Sequence, residues 1–206
     1  GIGDHMENPD SAKAYFDVTM DYYNQSLAIC ESMNDLHGMA NCYMNIGVVN
    51  WRLRQYEESI AYYKNALEVR ERINDRTGVA MVLGNIAYGY ITISDSGAVN
   101  SEHRILYLNE AVRYGLRSYE IAESINSVEH KKNAAGYLKS AYKKLGLNNK
   151  ALFYADMYIA LLDSFYNKRT SAEITEIESK YRNEKQLLEI EKLENERSLQ
   201  NETIAR

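Results

Sequence analysis

The 206-residue chain is almost without proline: Pro9 is the only one. Turn-rich β architectures lean on many Pro and Gly punctuators, so this scarcity points to helices. Cysteine is scarce too. Cys30 and Cys42 are too few for a disulfide framework in a chain this long and read as small buried thiols. No run reaches the ~18 consecutive apolar residues of a membrane-crossing helix, and no secretory leader is visible. Basic charge is not in excess. A net charge of -5 and a pI near 5.5 argue against a nucleic-acid surface, which needs a basic stripe. Catalytic patterns are missing as well: no phosphate-cradling glycine loop, no H-E-x-x-H and no G-x-S-x-G. None of His5, His37, His103 and His130 has a metal ligand three or four residues on. Glu102 and Glu129 adjoin His103 and His130 in sequence and so point to different helix faces. No enzyme, cofactor or metal site is expected.

What is abundant is tyrosine, with 18 residues against 3 Phe and 1 Trp. A large apolar ring with a hydroxyl suits helices that are half buried and half wet. The first six residues, GIGDHM, read as a cloning scar. A repeat follows. Shifted by 40 residues, segment 16–50 falls on 56–90 with Tyr22/Tyr62, Tyr23/Tyr63, Leu27/Leu67, Asn34/Asn74, Asp35/Asp75, Gly38/Gly78, Asn45/Asn85 and Ile46/Ile86 among the identities. A further shift of 52 reaches Tyr114, and another 40 reaches Tyr154. Each unit reads as two helices. Gly47 and Ala87 are small where the helices of a pair approach, as are Ser59, Ala66, Ala111 and Ala151 on the second helix. The N-D-x-x-G pattern supplies turn chemistry between units.

These spacings resemble the tetratricopeptide repeat in its longer form of about 40 residues. The expected fold is an all-α, TPR-type α-solenoid of antiparallel helix pairs over residues 7–167, with a long C-terminal helix over 168–206. The predicted map has a helix at 11–34, pairs at 38–53 with 56–74, 78–93 with 103–126 and 129–145 with 148–167, and a last helix from about 170. The extra residues 94–105 predict a longer, mobile connection. Lys139 departs from the pattern, which has a small residue there.

Under that resemblance, the first helices of each pair line a groove for a protein or peptide partner. The residues placed on it are Asn41, Met44, Asn45, Val48 and Trp51, then Met81, Asn85, Tyr88 and Ile91, then Asn133, Tyr137, Ser140 and Lys144. Asn amides can pair with a peptide backbone and aromatic rings can anchor it. The other reading of Asn45 and Asn85 is that they bridge adjacent helices.

From residue 168 onward there are nine Glu, eight Lys or Arg, and no Gly or Pro, which reads as one exposed helix. Ala172 and Ser179 suit a helix that begins by capping the array. Ile177, Tyr181, Leu188, Ile190 and Leu193 form a weak heptad stripe, a candidate for homodimerisation. The stretch around Leu162-Asp163-Ser164, with the later Lys180-Tyr181 step, resembles the end of the sensor region in membrane-anchored TPR regulators of Gram-negative bacteria. That resemblance implies a periplasmic module of an inner-membrane protein. Its membrane segment, and its histidine kinase or helix-turn-helix output, would lie outside this chain, and so would any nucleic-acid contact. A cytoplasmic assembly scaffold without signalling output is the alternative.

Overall fold

The computed structural model describes residues 9–96 and 99–167, with 170, 171, 173, 175, 176, 179, 183 and 186 beyond them. The described residues contain helices and no strand. They are α1 (Pro9–Ser32), α2 (Leu36–Arg52), α3 (Tyr56–Arg72), α4 (Arg76–Ser94), α5 (Ser101–Ser124), α6 (Val128–Lys144) and α7 (148–167). The chain divides into two units, residues 1–162 and 163–206.

In the first unit each helix packs on its sequence neighbours, and α4 also meets α6. This is the antiparallel TPR-type stack the repeat predicts. α4 is long and apolar enough to cross a membrane, but most of it is buried among its neighbours, as befits the central helix of a stack. Val82, Leu83, Ile86 and Ala87 from α4 are fully enclosed and form the centre of the core.

The turns follow from local chemistry. Asn34, Asn74 and Asn126 take φ of 53°, 55° and 53°, the left-handed region that Asn tolerates best among residues with a Cβ. Asp35 and Asp75 then cap α2 and α4 by accepting the Gly38 and Gly78 N–H at 3.0 and 2.9 Å. Glycine is required behind each cap, because a Cβ on Gly38 or Gly78 would collide with the capping carboxylate. Inside the α2/α3 pair the turn has the same three-residue length, and Arg54 holds φ 61° without an Asn's help.

Close approach inside each pair uses matched sizes. In α2/α3, Gly47 faces Tyr63, whose ring lies where a Cβ would be. In α4/α5 the same positions carry Ala87 and Gly115. Buried serines tie helices through their carbonyls: Ser59 Oγ donates to Gly47 O at 2.7 Å and Ser118 Oγ to Ala80 O at 2.8 Å.

One expectation needs correction. The segment 94–105 is not all loop: α5 already begins at Ser101, capped by Asn100, which accepts the His103 N–H at 2.9 Å. Relative to α2 and α3, the additional residues mostly lengthen α5, to 24 residues from 17, and only a six-residue connection separates it from α4. Residues 101–105 contain no breaker, so once a cap is available the helix extends.

In the second unit the described residues are helical. Phe165 and Tyr166 meet edge to face with centroids 6.0 Å apart, and the Thr175 hydroxyl donates to Ser171 O at 2.9 Å. Ile177, Tyr181, Leu188, Ile190 and Leu193, the expected self-association stripe, all lie outside the described residues.

A candidate binding face on the first helices

α2, α4 and α6 are the first helices of their pairs, and the structure brings one aromatic residue from each into a row. Trp51 of α2 lies 5.8 Å from Tyr88 of α4, and Tyr88 lies 5.6 Å from Tyr137 of α6, with interplanar angles of 33° and 34°. The row runs obliquely. By the repeat register, Trp51, Tyr88 and Tyr137 occupy positions that step back by about three residues, one helical turn, from each helix to the next. Tyr56 meets the Trp51 ring edge-on at 6.3 Å from the other side. Tyr88 is 42% exposed, while Trp51 and Tyr137 are half-buried. The Trp51 indole N–H is buried without an acceptor.

Several polar side chains of the first helices are uncommitted, and Asn133 lies beside Tyr88 and Tyr137. Asn45 is exposed, Asn85 and Asn133 are half-buried, and the side-chain amides of all three lack a hydrogen-bond partner among the described residues. They therefore do not bridge helices. Asn41 differs: its amide oxygen accepts from Arg70 Nη2 at 2.9 Å, which ties α2 to α3. Burial pushes the Tyr137 phenol above its ordinary value, with Tyr88 and Tyr63 adding to the effect, so it stays a neutral O–H group across the physiological range.

The cations nearby are already engaged. The Arg52 guanidinium sits over Trp51 at 5.7 Å, Lys139 Nζ sits over Tyr158 at 4.6 Å, and Lys144 Nζ bonds Asp95 at 2.6 Å. Lys139, which departs from the small residue of the repeat pattern, thus lays its ammonium on an aromatic face. A cavity of about 370 Å³ opens between Tyr88, Ile91, Asn133, Tyr137, Ser140 and Tyr158, and no acidic side chain lines it.

Two of the residues expected on the face are buried instead. Met44 is 8% exposed and belongs to the core, because its helical position faces α3 and α4. Ile91 is 5% exposed and packs into the same core, reaching the cavity only as part of its wall. Val48 and Met81 stay on the surface, 41% and 37% exposed.

A larger hollow of about 770 Å³ has no counterpart in the sequence-based map. It lies among the start of α3, the end of α4 and the lengthened start of α5, lined by Tyr56, Glu57, Ile93, Val99, His103 and Tyr107. The Tyr107 hydroxyl donates to Glu57 Oε1 at 3.3 Å across it. The one signal for it in sequence is the insertion itself. Among the described residues, no group of three or more His, Cys, Asp or Glu is placed to hold a metal.

Residues 38–97 match the family described as "Tetratricopeptide repeat". Among solved structures, the chain is similar to BtubC (BKLC) from P. vanneervenii, with a TM-score of 0.62 and 19% identity. The alignment covers 74% of this chain and 59% of that one, so the chain spans less than two thirds of its length. That likeness is one of fold. No curated protein matches. Tetratricopeptide repeats generally mediate protein–protein interaction and form a non-catalytic repeat fold.

Proposed function

We propose that this chain is a non-enzymatic, peptide- or protein-binding module whose partner lies across α2, α4 and α6. The observation that carries the reading is the row Trp51–Tyr88–Tyr137, with the unpartnered amide of Asn133 in the cavity beside Tyr88 and Tyr137. Rings of this kind are the usual anchors of an interface, and a free amide offers both a donor and an acceptor to a backbone. In the fuller form of this proposal the module is the sensor part of a membrane-anchored signal-transduction or transcription regulator, held in the periplasm, with homodimerisation through Ile177, Tyr181, Leu188, Ile190 and Leu193. What supports that form is the resemblance of the stretch from Leu162 to Tyr181. A cytoplasmic scaffold is the competing form, and an apolar membrane segment encoded beyond Arg206 would decide against it.

The binding reading is tested by selecting peptides from a displayed random library against the chain, then repeating the binding with Trp51→Ala/Asn85→Ala. The expected result is a loss of at least about thirtyfold in affinity with helicity unchanged, since a desolvated aromatic anchor is worth ~2 kcal/mol or more. Selected peptides that bind the double variant as well as the parent would remove the face from the proposal.

A further inference from the structure

We infer that Cys30 and Cys42 form a modification site: a thiol pair placed to close, by exchange with a small-molecule disulfide, into a bond that pins α1 to α2. The inference does not depend on the binding face.

Gly38 is what lets the two side chains meet. Cys30 stands in the last turn of α1, and its Sγ lies 2.5 Å from where a Cβ on Gly38 would be. Cys42 is one turn further along α2 from Gly38. Residues four apart on a helix share a face, with Cβ positions ~5–6 Å from each other. Helical side chains also lean back toward the N-terminus, over the residue four before. The Cys42 side chain therefore leans toward the space that Cys30 Sγ occupies. The repeat bears this placement out. In the next unit Arg70 stands where Cys30 does, and its side chain likewise fills the space a Cβ on Gly78 would take. This position crosses the junction between units in both cases. Both thiols are free. Burial, then Cys42 and Asp35, hold the Cys30 thiol above its ordinary value, and Cys42 is within hydrogen-bond reach of it.

The exposures give the two sulfurs different parts. Cys30 is half-buried and Cys42 is buried, so an outside molecule reaches Cys30 first. The Cys30 thiolate attacks one sulfur of the small disulfide, a mixed disulfide forms, and one reagent thiolate leaves. The Cys42 thiolate then attacks Cys30 Sγ, the bond between the two cysteines forms, and the second reagent thiolate leaves. The two protons given up by the protein end on the two reagent thiols. Two protein thiols are oxidised as one reagent disulfide is reduced. A thiol held above its ordinary value is a slow nucleophile, so the pair suits a slowly made, lasting bond and not a fast redox sensor. The bond acts where the stack is thinnest, because α1 packs chiefly on α2 and leaves Tyr15, Tyr22 and Ile29 exposed.

The test is to incubate the reduced full chain with glutathione disulfide, quench in acid and weigh the intact protein. The expected product is a monomer lighter by two hydrogen atoms, formed at a rate independent of protein concentration. Cys42→Ala should stop at a single glutathione on Cys30. Cys30→Ala should react at least about tenfold more slowly than the parent, since its remaining thiol is enclosed. Hydrogen exchange in the last turns of α1 should slow at least about tenfold in the oxidised chain, because the bond keeps that end docked when it opens. Glutathione retained on the parent chain, or dimers linked between chains, would overturn the pairing. So would a folded chain that stays reduced under conditions that close the same pair in the urea-unfolded chain. Unchanged α1 exchange in a chain that has formed the bond would overturn the pinning.

Discussion

At the scale of single residues, the array is decided by size at a handful of contacts. Gly47 is the sharpest. A Cβ there would lie 2.5 Å from the Tyr63 ring, whose own exposure is only 5%, so the ring has nowhere to go. Gly47→Ala should therefore cost about 1–3 kcal/mol, an overpacking penalty, although alanine normally favours a helix. In a Tyr63→Leu background the same change should cost less, and urea unfolding of the four chains measures the coupling. Sequence alone marks Gly47 as a close-approach site, because the small residue recurs as Ala87. It does not reveal which ring fills the space. The aromatic row is harder still to read. Trp51, Tyr88 and Tyr137 occupy three different positions of the repeat, so superposing the units scatters them. They become neighbours only because successive helices are offset by a turn. Met44 and Ile91, expected on the face, are buried for a related reason: a rule that works by repeat position overlooks how far each helix is rotated into its neighbours.

At the scale of elements, caps set where helices begin. Asp75 holds the start of α4 and also faces Arg70, which is itself buried and reaches Asn41 on α2. Partial burial pulls the Asp75 carboxyl upward. The Gly78 N–H and the Arg70 guanidinium outweigh it, and the net effect holds the group below the ordinary carboxylate value. A depressed folded value means the stabilisation is complete above the unfolded value, about 3.9, and is lost as pH falls through the folded one. Urea midpoints at pH 5, 4 and 3 should therefore drop more steeply for the natural chain than for Asp75→Asn, which keeps a capping oxygen but not the charge. Equal slopes would mean the junction does not carry the acid sensitivity. The N-D-x-x-G pattern makes these two caps legible in the sequence. The cap at Asn100 is not legible there, because it stands inside the insertion where no repeat supplies a template, and the lengthened α5 is hidden with it.

At the scale of the first unit, stability should be graded along the stack. α4 is covered by α3, α5 and α6, whereas α1 packs on α2 and leaves Tyr15, Tyr22 and Ile29 more than half exposed. In an array whose stability is a sum of neighbour contacts, opening starts where neighbours are fewest. Native-state hydrogen exchange should find α4 amides slowest and α1 amides fastest. Leu83→Ala, a cavity at a fully enclosed site, should cost about 2–5 kcal/mol and speed exchange in α3 to α6 together. Uniform protection from α1 to α6 would contradict this. The fold class is legible because 40-residue self-similarity is a global property of the chain. The sameness it suggests is nonetheless partial. The pair α2/α3 joins a glycine to a tyrosine, and α4/α5 joins an alanine to a glycine. A recombination event that cut between the two helices of a pair would set Ala87 against Tyr63, or Gly47 against Gly115, leaving a clash in one product and a void in the other. Breakpoints between pairs break neither match. A lineage built on this array is thus expected to gain and lose whole pairs and to inherit the seam within each pair unbroken.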